Sequence, residues 1–221
     1  LFFGIDISKD CFDVYCSQTG HSSYSNDTKG FKVFLKAIPE SSHCVMEATG
    51  CYHHQLAMFL YGRGICVSVV NPLVIKRYIQ MKLKRVKTDK SDALMIYRYS
   101  CEQELEHWEP DPEYIESGRE LLSLIQMYLK QSTALKNKLH AFESRGQNKG
   151  KMITSIKRQL RALKKERQLL EQEVEALIKA NEPSLYARLQ TIPGIGKKTA
   201  VLLMLSTANF KDFLSYKQVS S

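Results

Sequence analysis

Lys87-Thr88-Asp89-Lys90-Ser91-Asp92-Ala93-Leu94 sets two carboxylates three residues apart, and Met95-Ile96-Tyr97 continues the stretch as a helix. Residues i and i+3 share one helix face, so Asp89 and Asp92 are predicted to point at the same spot. Capping alone would also favour acids here, because a first turn carries unsatisfied N–H groups and the positive end of the dipole. Capping does not account for Asp6 and Glu47, which stand in the apolar strand-like runs LFFGIDI and His43-Cys44-Val45-Met46-Glu47. A buried carboxylate is costly unless it is paired or holds a cation.

Outward from these acids, strand and helix signals alternate. Leu1 to Ile7 is a β-forming run, Phe12 to Cys16 alternates, and a third short strand is expected near Ser23-Tyr24-Ser25. Thr28 is expected to cap a helix that carries Phe31, Phe34 and Leu35 and ends before Pro39. A buried strand from His43 leaves Glu47 at its carboxyl end. A helix from Tyr52 to Tyr61, closed by Gly62 and Gly64, leads to a strand from Ile65 to Val70, stopped by Asn71-Pro72. The order βββαβαβ, followed by the helix from Asp89, predicts an α/β domain with a mixed sheet over residues 1–107.

Trp108-Glu109-Pro110-Asp111-Pro112 reads as a linker. Beyond it Leu121, Ile125, Tyr128, Ser132, Leu135, Leu139 and Phe142 recur at heptad spacing. Ile153, Ile156, Leu160, Leu163, Leu170, Val174 and Leu177 repeat the pattern, with Arg167 in the missing slot. The pattern predicts coiled-coil helices over residues 113–181, packed as a hairpin within the chain or pairing with a second chain. In residues 183–221, Thr191-Ile192-Pro193-Gly194-Ile195-Gly196-Lys197-Lys198 reads as the turn of a helix–hairpin–helix. Gly194 and Gly196 would let the backbone approach a phosphate, beside Lys197, Lys198 and the free N–H groups of the next helix. The alternative is a tight turn that needs glycine for packing.

Among 221 residues, 32 Lys and Arg against 23 Asp and Glu give a formal net charge of +9. Such an excess implies a polyanionic partner, nucleic acid before a membrane surface. No apolar run approaches the roughly 20 residues of a spanning helix, and no signal-like segment opens the sequence. Basic residues are dense at Lys76-Arg77, from Lys82 through Lys84, Arg85 and Lys87 to Lys90, and from Lys157 to Lys165. Tyr78, Tyr97 and Tyr99 lie near the first two clusters, as stacking platforms for bases or as core residues. None of the six cysteines forms a CxxC pair or a zinc-finger spacing, so they read as reduced core cysteines of a cytoplasmic protein.

Converging carboxylates would repel one another without a divalent ion, and an all-oxygen donor set suits Mg²⁺ or Mn²⁺. Two such ions can clamp the attacking and leaving oxygens of a phosphodiester, as in ribonuclease-H-like folds. Gly4-Ile5-Asp6-Ile7-Ser8-Lys9, Met46-Glu47-Ala48-Thr49-Gly50, Val70-Asn71-Pro72, Lys87 to Ala93, and Ile192-Pro193-Gly194-Ile195-Gly196 occur in this order. Together they resemble the DEDD-type insertion-sequence transposases and the related pilin-gene DNA invertase family. The resemblance implies a RuvC-like domain of ribonuclease H fold, a coiled-coil segment and a C-terminal transposase domain. It also implies Asp6, Glu47, Asp89 and Asp92 as a catalytic metal quartet, and a structured guide RNA that pairs with DNA. The family's serine nucleophile is expected beyond Ser221; neither Ser220 nor Ser221 is a candidate. The chain is therefore expected to be a bacterial, nucleoid-associated recombinase, a homodimer or larger oligomer joined through the coiled coil. The Asp6-to-Glu47 interval is short for the family, which points to a trimmed loop near Gly20. A hydrolytic RuvC-like nuclease of branched DNA and a non-catalytic nucleic-acid-binding scaffold are the rival readings.

Overall fold

In Phe2–Ile7 (β1) the side chains of Phe3, Ile5 and Ile7 alternate with Gly4 and Asp6, so one face of the strand is apolar and the other is not. The structure, a computed structural model, describes residues 1–48, 50–82, 89–147 and 149–211, without the side chains of residues 89–91. β1 pairs antiparallel with Cys11–Cys16 (β2), which pairs antiparallel with Gly20–Ser25 (β3). On its other side β1 runs parallel to His43–Glu47 (β4), and β4 runs parallel to Cys66–Val70 (β5). The resulting mixed sheet, ordered β3-β2-β1-β4-β5, is compatible with the ribonuclease-H-like α/β expectation.

Thr28–Ala37 (α1) and His54–Tyr61 (α2) bury the apolar face, where Ile5, Phe12, Phe34, Met46, Leu56 and Leu60 are essentially inaccessible. Each such side chain contributes about 1.5–3 kcal/mol by leaving water. The opposite face receives Pro72–Met81 (α3) and Asp89–Glu102 (α4), with Val45, Ile75 and Ile96 as its buried centre. The approach of α4 to β1 is very close. A Cβ on Gly4 would press on the backbone of Ala93 and Tyr97 and lie 2.7 Å from Tyr97 Cα, so only glycine fits there.

Three local readings change. Asp27, not Thr28, caps α1, its Oδ1 accepting from the Lys29 and Gly30 N–H groups at 2.8 Å each. Asn71-Pro72 does more than stop β5: Asn71 Oδ1 accepts from Leu73 N at 2.8 Å and Pro72 takes the first helical position, which starts α3, a helix the sequence reading omits. β3 is longer than expected and begins at Gly20, whose φ of 73° lets residues 17–19 turn β2 into it. After α4, residues 103–110 run along the edge strand β5. Trp108 N donates to Val67 O at 2.8 Å and Ser68 Oγ to Glu106 O at 2.6 Å, which covers an otherwise open sheet edge.

Residues 111–221 form a second unit. Glu113–Glu143 (α5) and Lys151–Asn181 (α6), 31 residues each, pack on one another as an antiparallel hairpin within the chain. Pro183–Gln190 (α7) and Lys197–Ser206 (α8) share a core with the hairpin's root, where Ile115, Ile178, Met204 and Leu205 are fully buried. Toward the tip, Leu135, Leu139, Leu160 and Leu163 are only half-buried.

Candidate functional site

The parallel register of β1 with β4 runs from Phe2↔His43 to Ile5↔Met46. The next residues along, Asp6 and Glu47, therefore leave the sheet side by side at the carboxyl ends of their strands. Ile5 and Met46 point into the core under α1 and α2. Alternation turns Asp6 and Glu47 to the opposite face, where the α4 backbone crosses Gly4. Asp92 lies in the first turn of α4, immediately before Ala93, and is half-buried like Asp6 and Glu47. None of the three is without a partner. Asp89 opens α4, but its side chain lies outside the described residues.

A further carboxylate that the sequence reading passed over stands here. Asp13 is the register partner of Asp6 across β1 and β2, and His21 Nε2 donates to its Oδ1 at 2.8 Å. Like charges opposite one another in an antiparallel pair are unfavourable; His21 offsets part of that cost. The available donors are all oxygens, the chemistry that a hard divalent cation takes. Asp13 falls on the strand face opposite buried Phe12, Val14 and Cys16, and only the β1–β2 register brings it to Asp6.

The predicted nucleic-acid contacts divide. Lys76 and Arg77 are exposed on α3, next to exposed Leu73 and Val74. Lys82 instead pairs with Glu102 Oε2 at 2.6 Å and lies over the Tyr78 ring. Lys84, Arg85 and Lys87 fall outside the described residues. The tyrosines beside them serve packing: Tyr78 is buried edge-on to Tyr99 at 5.3 Å, and Tyr97 lies edge-on to Tyr15 at 5.3 Å. Burial, then Glu102, pushes the Tyr78 hydroxyl up to about 12.

In the second unit, Gly194 adopts φ 89° in the turn between α7 and α8, a conformation that favours glycine. A Cβ on Gly194 or Gly196 would meet nothing within 4 Å, so neither glycine is there for packing. Lys197 Nζ and Lys198 Nζ pair with Glu175 Oε1 (3.2 Å) and Glu171 Oε1 (2.7 Å) of α6. Lys179 first, then the Tyr186 hydroxyl and Lys197, hold the Glu175 carboxyl down to about 2. The two lysines thus reach any ligand already partly neutralised.

One more group escaped the sequence reading. His43, Cys66 and His107 each bring a donor atom to within 4.8 Å of the others. His43 and Cys66 are register partners across β4 and β5, and His107 comes from the segment that covers the β5 edge. Cys66 Sγ is 2.8 Å from His107 Nδ1, and the two imidazoles stack at 5.4 Å. Burial, then the neighbouring His107, holds the His43 imidazole below its usual value, and burial pushes the Cys66 thiol up. This cluster lies at the amino ends of β4 and β5. The acids lie at the carboxyl ends, about 13 Å along the strand at ~3.3 Å per residue.

A family model described as transposase, of the DEDD IS110 type, matches residues 3–142, a range that contains all four predicted acids. The pilin gene-inverting proteins of Moraxella bovis and Moraxella lacunata are each 30% identical to the chain, over 233 and 234 residues, and the alignments cover 100% of the chain and 70% of each relative. The transposase for insertion sequence element IS1111A of Coxiella burnetii is 26% identical over 249 residues, covering 99% of the chain and 66% of the relative. Among the described residues, no helix is long and apolar enough to cross a membrane.

Proposed function

Because this chain belongs to the DEDD transposase family, we propose that it cuts and exchanges DNA strands as a transposase or site-specific invertase, guided by a structured RNA. Asp6, Glu47, Asp89 and Asp92 hold Mg²⁺ or Mn²⁺ in this reading, and Asp13 stands in reserve beside Asp6. When bound, such an ion supplies neutralisation and orientation of a phosphodiester. The carboxylates would fix the position of that charge, and the close α4–β1 contact at Gly4 holds the helix that carries Asp92 against β1. Lys76 and Arg77 bind the backbone phosphates of nucleic acid, and the turn at Gly194 and Gly196 admits a further phosphate close to the α8 N–H groups.

The attacking group is a serine hydroxyl supplied from beyond Ser221. Its oxygen forms a bond to phosphorus as the P–O3′ bond breaks, leaving a 5′-phosphoserine that a 3′-hydroxyl of the exchanged strand later displaces. The protein acts as an oligomer, and the half-buried apolar seam toward the hairpin tip is the contact surface on offer. The observation that carries the reading is the parallel β1–β4 register, which sets Asp6 beside Glu47 on the face crossed by α4.

The test uses the protein with its RNA and DNA substrates. Asp6→Asn is expected to lower cleavage by at least about 100-fold, the scale of losing one group that stabilises transition-state charge, while nucleic-acid binding is retained. Unchanged cleavage overturns the metal assignment. A covalent protein–DNA adduct at serine, seen by mass spectrometry after denaturation, is expected. Free 5′-phosphate ends with no adduct would replace strand exchange with hydrolysis.

A further inference from the structure

The geometry points to a zinc site made by His43, Cys66 and His107 at the amino-terminal end of the sheet, separate from the carboxylates and of different chemistry. Two imidazole nitrogens and a thiolate are a borderline-soft donor set, which takes Zn²⁺ in preference to the hard Mg²⁺ or Mn²⁺. Around a tetrahedral zinc with bonds of about 2.0–2.1 Å to nitrogen and about 2.3 Å to sulfur, the N···S separation comes to about 3.5 Å. The donors here span from the 2.8 Å of Cys66 Sγ and His107 Nδ1 to within 4.8 Å overall. A shift of about 0.7 Å in the exposed His107 ring would give that separation.

The surroundings match a ligand shell. Ser68 Oγ is 2.8 Å from His43 Nε2 and donates to the Glu106 carbonyl at 2.6 Å, which fixes the His43 ring. Second-layer hydrogen bonds of this kind hold metal-bound imidazoles in orientation. The cleft beside the cluster, lined by Tyr61, Cys66, His107 and Trp108 among others, leaves the fourth position open to water or another small ligand.

The metal's effect follows from where the ligands come from. His43 and Cys66 are embedded in β4 and β5, while His107 lies on residues 103–110, the stretch that ends the first unit. Zinc therefore fastens that stretch to the edge strand, reinforcing the Trp108 N to Val67 O bond of 2.8 Å. The site holds that stretch in place, and it is independent of the proposed DNA chemistry at the other end of the strands.

Metal content after chelator stripping, reloading with Zn²⁺ and dialysis tests the inference directly. The chain is expected to retain about one zinc, as three protein ligands and one open position imply. Cys66→Ser and His107→Ala are each expected to weaken Zn²⁺ by more than about 100-fold, and Ser68→Ala by about 10–100-fold. Asp6→Asn is expected to leave zinc affinity unchanged, so failure of the cleavage reading would not touch this one. Co²⁺ in place of zinc is expected to show thiolate-to-cobalt charge-transfer absorption that Cys66→Ser abolishes. His107 is exposed, so His107→Ala keeps the test decisive even if Cys66→Ser fails to fold. Retention of no metal, or zinc indifferent to both ligand variants, overturns the assignment.

Discussion

Gly4→Ala tests the contact on which the geometry of the acidic face depends. The added Cβ would sit 2.7 Å from Tyr97 Cα and closer still to the neighbouring backbone of α4. Ordinary contact starts near 3.4 Å, so the helix must retreat by about 0.7 Å or more. The obstacle is helix backbone, not a side chain that can rotate away, so the cost belongs near the top of the overpacking range of about 1–3 kcal/mol. At roughly 4–6 °C per kcal/mol for a unit of about this size, the melting temperature of the first unit should fall by about 10–15 °C. Trp108 is the only tryptophan and packs edge-on against His54 and Tyr61, so its fluorescence follows that unit alone. Because α4 also carries Asp92, DNA cleavage should be lost at temperatures where the variant is still folded. A melting temperature within about 2 °C of the wild type would refute the α4–β1 contact as described.

The remaining expectations are briefer. Glu175 has a folded-state value of about 2 against an ordinary 4.5, so its contribution is fully present above pH 4.5 and is lost as pH falls towards 2. The shift would be worth about 3 kcal/mol; since one-fifth of the side chain is exposed, screening reduces it to about 1–2 kcal/mol. Glu175→Gln should flatten the acid limb of a denaturant-derived stability profile between those pH values, and an unaltered limb would contradict the network. Structured RNA should outcompete duplex DNA of equal length at near-physiological salt, with affinity falling steeply as salt rises. If the duplex wins, Lys76, Arg77 and their neighbours form a DNA track and the guide-RNA reading fails.

The adjacency of Asp6 and Glu47 at the ends of β1 and β4 was legible because both sit in apolar β-runs and the strand order of an α/β pattern is strongly constrained. The heptads of α5 and α6 were legible too, though periodicity alone could not choose between an intramolecular hairpin and a second chain. Helix α3 was missed because Asn71-Pro72 serves equally as a strand stop and as a cap with proline at the first helical position. Asp13 was missed because its significance lies in its register opposite Asp6. The His43–Cys66–His107 cluster was hidden for a related reason. Metal sites are usually read from short spacings, whereas Cys66 and His107 are 41 residues apart and meet only once the covering segment lies along β5.

The α5–α6 hairpin has a mechanical consequence. Helices of 31 residues rise by about 1.5 Å per residue, giving an arm of about 46 Å. Its root is clamped by fully buried Ile115, Ile178, Met204 and Leu205, while Leu135, Leu139, Leu160 and Leu163 in its far half are only half-buried. Such an arm amplifies displacement: a tilt of about 10° at the root sweeps the tip through about 8 Å, more than two base-pair steps of duplex DNA. Whatever the tip grips would therefore be moved by rearrangements too small to disturb the packing at the pivot.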